Sequence, residues 1–120
     1  MQLTINDKVT ISDIQKGFEE MFPFLRIQFF KTPHKAFEGS PKKEILPVTT
    51  KLKEVKHQNG VMVISENITV SELEEFFKNI FNLNVQVFRK SGNSWLETTL
   101  TDSWTLKKQN QEGKELSGLG

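Results

Sequence analysis

The sequence predicts an α+β domain assembled from two strand–helix–strand units, on three observations. Residues 3–22 (LTINDKVTISDIQKGFEEMF) and residues 62–81 (MVISENITVSELEEFFKNIF) match almost step for step. Ile5 falls on Ile64, Thr10 on Thr69, Ser12 on Ser71, Phe18 on Phe77 and Phe22 on Phe81. After a shift of one residue, residues 27–31 (IQFFK) fall on residues 85–89 (VQVFR). The whole chain has 120 residues, which suits a single domain with one shared core.

Each element follows from its local pattern. In residues 2–6, Leu3 and Ile5 alternate with Thr4 and Asn6, a strand signal. Ile11, Ile14, Phe18, Met21 and Phe22 recur at spacings of three and four, the apolar stripe of a helix. Thr10 with Asp13 forms a capping box at its start, and Thr69 with Glu72 forms a closer match in the second copy. The second stripe is Val70, Leu73, Phe77, Ile80 and Phe81. Phe76 is additional, because the first copy has Gly17 there, and it is expected at the border of the buried face. A strand follows each helix, with Leu25, Ile27 and Phe29 in one copy and Val85 and Val87 in the other. Ser91, Gly92 and Asn93 mark a turn into a fifth strand over residues 95–99.

The repeats occupy residues 2–31 and 61–90. Residues 32–60 form an insertion without a counterpart, holding Pro33, Pro41 and Pro47. A loop is expected over residues 33–47, and a short helix over residues 51–56, capped by Thr50. Residues 91–120 complete a hairpin and then a short helix near Trp104 and Leu106. The polar, glycine-rich residues 111–120 are expected to be disordered.

Tandem units of this kind suggest a ferredoxin-like βαββαβ domain. Right-handed crossovers place both helices on one face of a single sheet, in the order 5-4-1-3-2. The expected core is Leu3, Ile5, Ile14, Phe18, Met21, Ile27, Phe29, Met62, Ile64, Leu73, Phe77, Ile80, Val85 and Val87. The open face then carries Thr4, Asn6, Gln28, Phe30, Val63, Ser65, Gln86 and Phe88. Phe30 and Phe88 are repeat partners. A ring at the same open-face position in both copies is either covered by the extra segments or available to a partner.

Composition excludes several classes. Sixteen basic residues nearly balance fifteen acidic ones, which gives no broad electrostatic case for nucleic acid or an anionic membrane. With no cysteine, disulfides, thiol catalysis and cysteine-held metals are out. Residues 1–8 lack a basic start followed by an apolar run, and no apolar stretch approaches a membrane span. A soluble cytoplasmic protein is expected.

No catalytic constellation stands out, and no cofactor is expected. His34 and His57, with Glu38 or Glu54, match no compact metal motif and read as solvated loop residues. Glu72, Glu74 and Glu75 open a helix, where acids meet the dipole. Asp102 and Ser103 have no nearby histidine in the sequence and suit a helix N-cap. No glycine-rich phosphate loop is present. Lys31, Lys35, Lys42, Lys43, Lys51, Lys53 and Lys56 make the insertion lysine-rich, but Glu38, Glu44 and Glu54 dilute the charge. RNA or single-stranded DNA binding there is a secondary reading, and a small-ligand or enzymatic pocket under the loop of residues 33–47 is a third.

The string Trp95, Leu96, Glu97, Thr98, Thr99, then Thr101, Asp102, Trp104, Thr105, Leu106, Gln109 and Asn110, together with residues 69–89, resembles an uncharacterised family of small bacterial proteins. The resemblance covers less than half of the chain and implies no activity. The leading expectation is a non-enzymatic protein-binding or adaptor domain, with Phe30, Phe88, Trp95 and Trp104 as its candidate surface.

Overall fold

The computed structural model describes residues 1–31, 44–55 and 57–118. The chain is α+β. In order, its elements are β1 (Gln2–Ile5), α1 (Ile11–Met21), β2 (Leu25–Phe30), β3 (Gly60–Val63), α2 (Val70–Phe81), β4 (Asn84–Ser91), β5 (Ser94–Glu97) and α3 (Leu106–Leu116). Short 3-10 turns occupy Leu52–Glu54 and Thr99–Thr101.

Both capping boxes form. The Thr10 hydroxyl accepts from Asp13 N at 3.1 Å, and the Asp13 carboxylate accepts from Thr10 N at 2.9 Å. Thr69 and Glu72 repeat the exchange at 3.0 and 3.1 Å. Each box satisfies two backbone donors at the helix start. α2 ends on Asn82 in the left-handed region, a conformation that asparagine tolerates.

The expected single five-stranded sheet is instead two antiparallel sheets, β1–β3 and β2–β4–β5. The reason lies in the backbone edges. β2 has β4 on one side and an isolated bridge from Phe30 to Ile45 on the other, and β4 is flanked by β2 and β5. These contacts cover part of the outer edges of β2 and β4, and β1 and β3 pair with each other. Leu3 lies opposite Met62, and Gln28 lies opposite Gln86, so in each ladder a residue faces its own counterpart.

The correspondence runs further than the sequence match. Ile11 N donates to Thr50 O, Ser12 N to Val48 O, and Leu52 N to Val9 O. In the second half, Val70 N donates to Trp104 O, Ser71 N to Asp102 O, and Leu106 N to Ile68 O. The two threonine caps make matching bridges, Thr10 with Lys51 and Thr69 with Thr105. Leu46 N donates to Phe29 O much as Thr98 N donates to Val87 O. Residues 44–52, expected to have no counterpart, are thus bonded as residues 96–106 are. Each segment is a strap that takes up free donors at a helix N-terminus. Leu52 and Leu106 pin the straps by complete burial.

α1 packs on β2, α2 on β4, and α3 on β4 with a smaller contact to β2. The core joins both sheets. Leu3, Ile5, Met62 and Ile64 meet Ile11, Ile14, Phe18, Leu73 and Phe77, with Leu25, Ile27, Phe29, Val85 and Val87 beneath. Phe29 meets Phe77 edge-on at 5.7 Å between ring centres, a favourable aromatic geometry. Most of the expected core is buried. Ile80 is not, being 49% exposed, and Met21 is only partly buried.

Three local expectations also change. The first strap turns at Leu52–Glu54 with Lys51 before it and no side-chain cap, so Thr50 acts through its carbonyl. The N-cap of α3 is Thr105, whose hydroxyl accepts from Lys108 N at 3.1 Å, while Asp102 offers its carbonyl to α2. Residues 111–116, expected to be disordered, belong to α3. Gly113 explains this, because it lets the helix press on Phe24 and Arg89 where a Cβ would come within 2.9 Å of Phe24.

Candidate binding surface

The open face expected on one sheet is divided between two. On β1–β3 it consists of exposed Thr4 and Val63, with Val61 beside them. On β2–β4–β5 it begins with side chains that alternate away from the core: Arg26, Gln28 and Phe30 on β2, then Gln86, Phe88 and Lys90 on β4. β5 adds Trp95 opposite Lys90 and Glu97 opposite Phe88.

Of the four aromatic candidates, Phe30 is buried, at 3% exposure, beside the bridge to Ile45. Phe88, Trp95 and Trp104 are half-buried. Trp95 sits in a cationic setting. The Arg26 guanidinium lies 4.2 Å from its ring centre and the Lys90 ammonium 5.5 Å away. Such pairs attract through the ring quadrupole by roughly 0.5–1 kcal/mol at exposed sites. Arg26 also approaches Glu19 at 3.9 Å.

Trp104 is elsewhere. Its carbonyl accepts from Val70 N, and its ring lies 4.1 Å from the Lys108 ammonium and 5.5 Å from the Arg89 guanidinium. Arg89 Nη1 donates to Gln109 Oε1 at 2.8 Å, and Gln109 Nε2 donates to Thr101 O at 2.7 Å and to Thr101 Oγ1 at 2.9 Å. Gln109 is fully buried, so this network joins α3 to β4 and the second strap. Trp104 therefore belongs to the strap and α3, and the four aromatics do not form one patch.

No family model matches the chain, and no curated protein or solved structure does either.

The remaining titratable candidates have local roles. His57, read as solvated, has a side chain only 5% exposed. Its Nδ1 lies 2.8 Å from Val55 O, and its Nε2 lies 2.8 Å from Asn59 Oδ1 and 3.3 Å from Asp7. It ties the end of the first strap to the loop before α1. His34, Glu38 and Lys35 lie outside the described residues, as do Lys42, Lys43 and Lys56. Lys31, Lys51 and Lys53 are exposed. Most of the expected loop at residues 33–47 is likewise outside them. Near its end, a cleft of about 260 Å³ lies between Phe29, Phe30, Lys31, Leu46, Val55, Asn82, Leu83 and Asn84. Among the described residues that line it, Lys31 is the titratable one. Among the described residues, no three histidine or carboxylate groups converge on a point that could hold a metal. No helix there is long and apolar enough to cross a membrane.

One feature escaped the sequence reading. Phe76 and Ile80, one turn apart on α2, are 43% and 49% exposed. Helical periodicity assigned Ile80 to the buried stripe, and it could not show where the packing against β4 stops.

Proposed function

We propose that the chain is a tandem duplication of one strand–helix–strand–strap unit, and that it acts as a non-enzymatic protein-binding domain through the outer face of β2–β4–β5. Trp95 and Phe88 are the contact rings, Arg26 and Lys90 supply the charge, and Phe30 is the buried floor. Trp104 anchors the second strap.

The observation that carries this reading is the setting of Trp95. It stands on a strand of four residues at the sheet edge, beside two cations, and its register partner Lys90 lies two residues from Phe88 on the same face. Tryptophan and arginine dominate binding energy at protein interfaces, because they combine large contact area with a polar handle. A partner segment with carboxylates and an apolar anchor fits this chemistry. The duplication is supported by the recurring strap hydrogen bonds and by the two registers in which counterparts face each other. The non-enzymatic reading is supported by the described residues, among which no three histidine or carboxylate groups converge on a point. The C-terminal resemblance to small bacterial proteins adds no activity.

The test is an array of short acidic peptides bearing single apolar anchors, probed with the chain and its variants. Phe88→Ala and Trp95→Ala should lose retention at least tenfold while unfolding near the parent temperature. If the variants unfold instead, the rings are structural and the reading falls. If the array is silent but a single-stranded oligonucleotide is retained at low salt and released as salt rises, the surface serves nucleic acid.

A further inference from the structure

The apolar pair on α2 sits in a groove of about 330 Å³ lined by Glu72, Glu75, Phe76, Asn79 and Ile80. Both charged residues in this lining are glutamates. In α1 the counterparts of Phe76 and Ile80 are Gly17 and Met21. Gly17 sits within close reach of Leu3 and Met1, and Met21 is partly buried. The first half thus closes its helix down on its own strand, whereas the second half exposes a ring and an isoleucine at the same positions. α2 does not need them for its core contact. Val70, Leu73, Phe77 and Phe81 supply that and are buried.

We infer that this groove is a docking site for a basic amphipathic helix of another protein. The occupant would set an aliphatic or aromatic anchor between Phe76 and Ile80 and direct lysine or arginine side chains toward Glu72 and Glu75. The charge selects it. An apolar pair bordered, among the described residues, by carboxylates and an amide favours cations around an apolar ridge and disfavours an acidic one. Self-pairing of the same patch across a two-fold axis would bring four carboxylates together, which opposes a second copy as the occupant. An anionic membrane surface is opposed on the same ground.

The probe is a fluorescently labelled amphipathic helix of leucine and lysine, titrated by anisotropy against the full chain at low and at physiological salt. A leucine–glutamate helix of the same pattern is the control. The leucine–lysine peptide should bind and the control should not. Phe76→Ser should weaken binding at least tenfold, and Glu75→Lys should weaken it and flatten the salt dependence. Both sites are exposed, and circular dichroism checks that each variant keeps its helix content. Glu75→Gln, which keeps the shape, should give an intermediate loss. The inference is overturned if the peptide does not bind at low salt, or if it binds equally well to Phe76→Ser and Glu75→Lys. It is also overturned if sedimentation shows a dimer that Phe76→Ser dissolves. Trp95→Ala should leave peptide binding unchanged, which keeps this outcome separate from that of the sheet face.

Discussion

Single residues decide how the helices begin and how closely the elements approach. The Asp13 carboxyl is held below its ordinary range, chiefly by the hydrogen bond from Thr10 N–H and then by the Thr10 side chain. A carboxyl lowered by folding contributes stability that is present above its unfolded pKa and is lost as pH falls through the folded one. Asp13→Asn should therefore reduce the loss of stability on acidification below about pH 4, where an ordinary aspartate titrates. Urea midpoints at a series of pH values check this. Thr69→Ala removes an N-cap acceptor and should cost about 1 kcal/mol in denaturant unfolding. Gly113→Ala forces a Cβ against the Phe24 backbone and should cost about 1–3 kcal/mol by overpacking. The caps were legible in the sequence because threonine and an acid three residues later carry their own mechanism. The contact at Gly113 was not, since it depends on a β4 side chain and a loop distant in the chain.

At the level of elements, the straps do what neither helix does for itself. Leu52 and Leu106 are fully buried at matching points, and each holds its segment where carbonyls can accept from the first turn of a helix. Leu106→Ala should cost about 2–5 kcal/mol. It should also speed hydrogen exchange at Val70 and Ser71 before the rest of α2. Leu52→Ala should do the same at Ile11 and Ser12. Amide exchange read residue by residue distinguishes this from a uniform loss. The strand–helix–strand units were legible because their periods are local. The straps were hidden, because Val48, Thr50, Asp102 and Trp104 act through main-chain carbonyls, which impose no pattern on the side chains. The division into two sheets was hidden for a related reason. Alternation marks a strand but not its neighbour, and here β1 takes β3 as its partner while β2 and β4 pair with each other and with β5.

Over the whole molecule, neither half is complete alone. β1 pairs with β3 and β2 with β4, so each ladder draws on both halves of the chain. Unfolding should be one cooperative transition, with Trp fluorescence and far-ultraviolet circular dichroism giving the same midpoint. Ile27→Ala in the first half and Val87→Ala in the second should shift that midpoint together, without opening a separate phase. Of the candidate surface, the sequence placed Phe30 and Phe88 on the open face and named Trp95 and Trp104 with them, but it could not bury Phe30, place Arg26 over Trp95 or expose Phe76. Those follow from register and helix rotation. The facing of counterparts, Leu3 on Met62 and Gln28 on Gln86, has one more consequence. Two identical subunits around an axis must accept every substitution twice. A single chain can keep Gly17 in one helix and place Phe76 at the sequence-matched position of the other, so the two helices are free to present different surfaces.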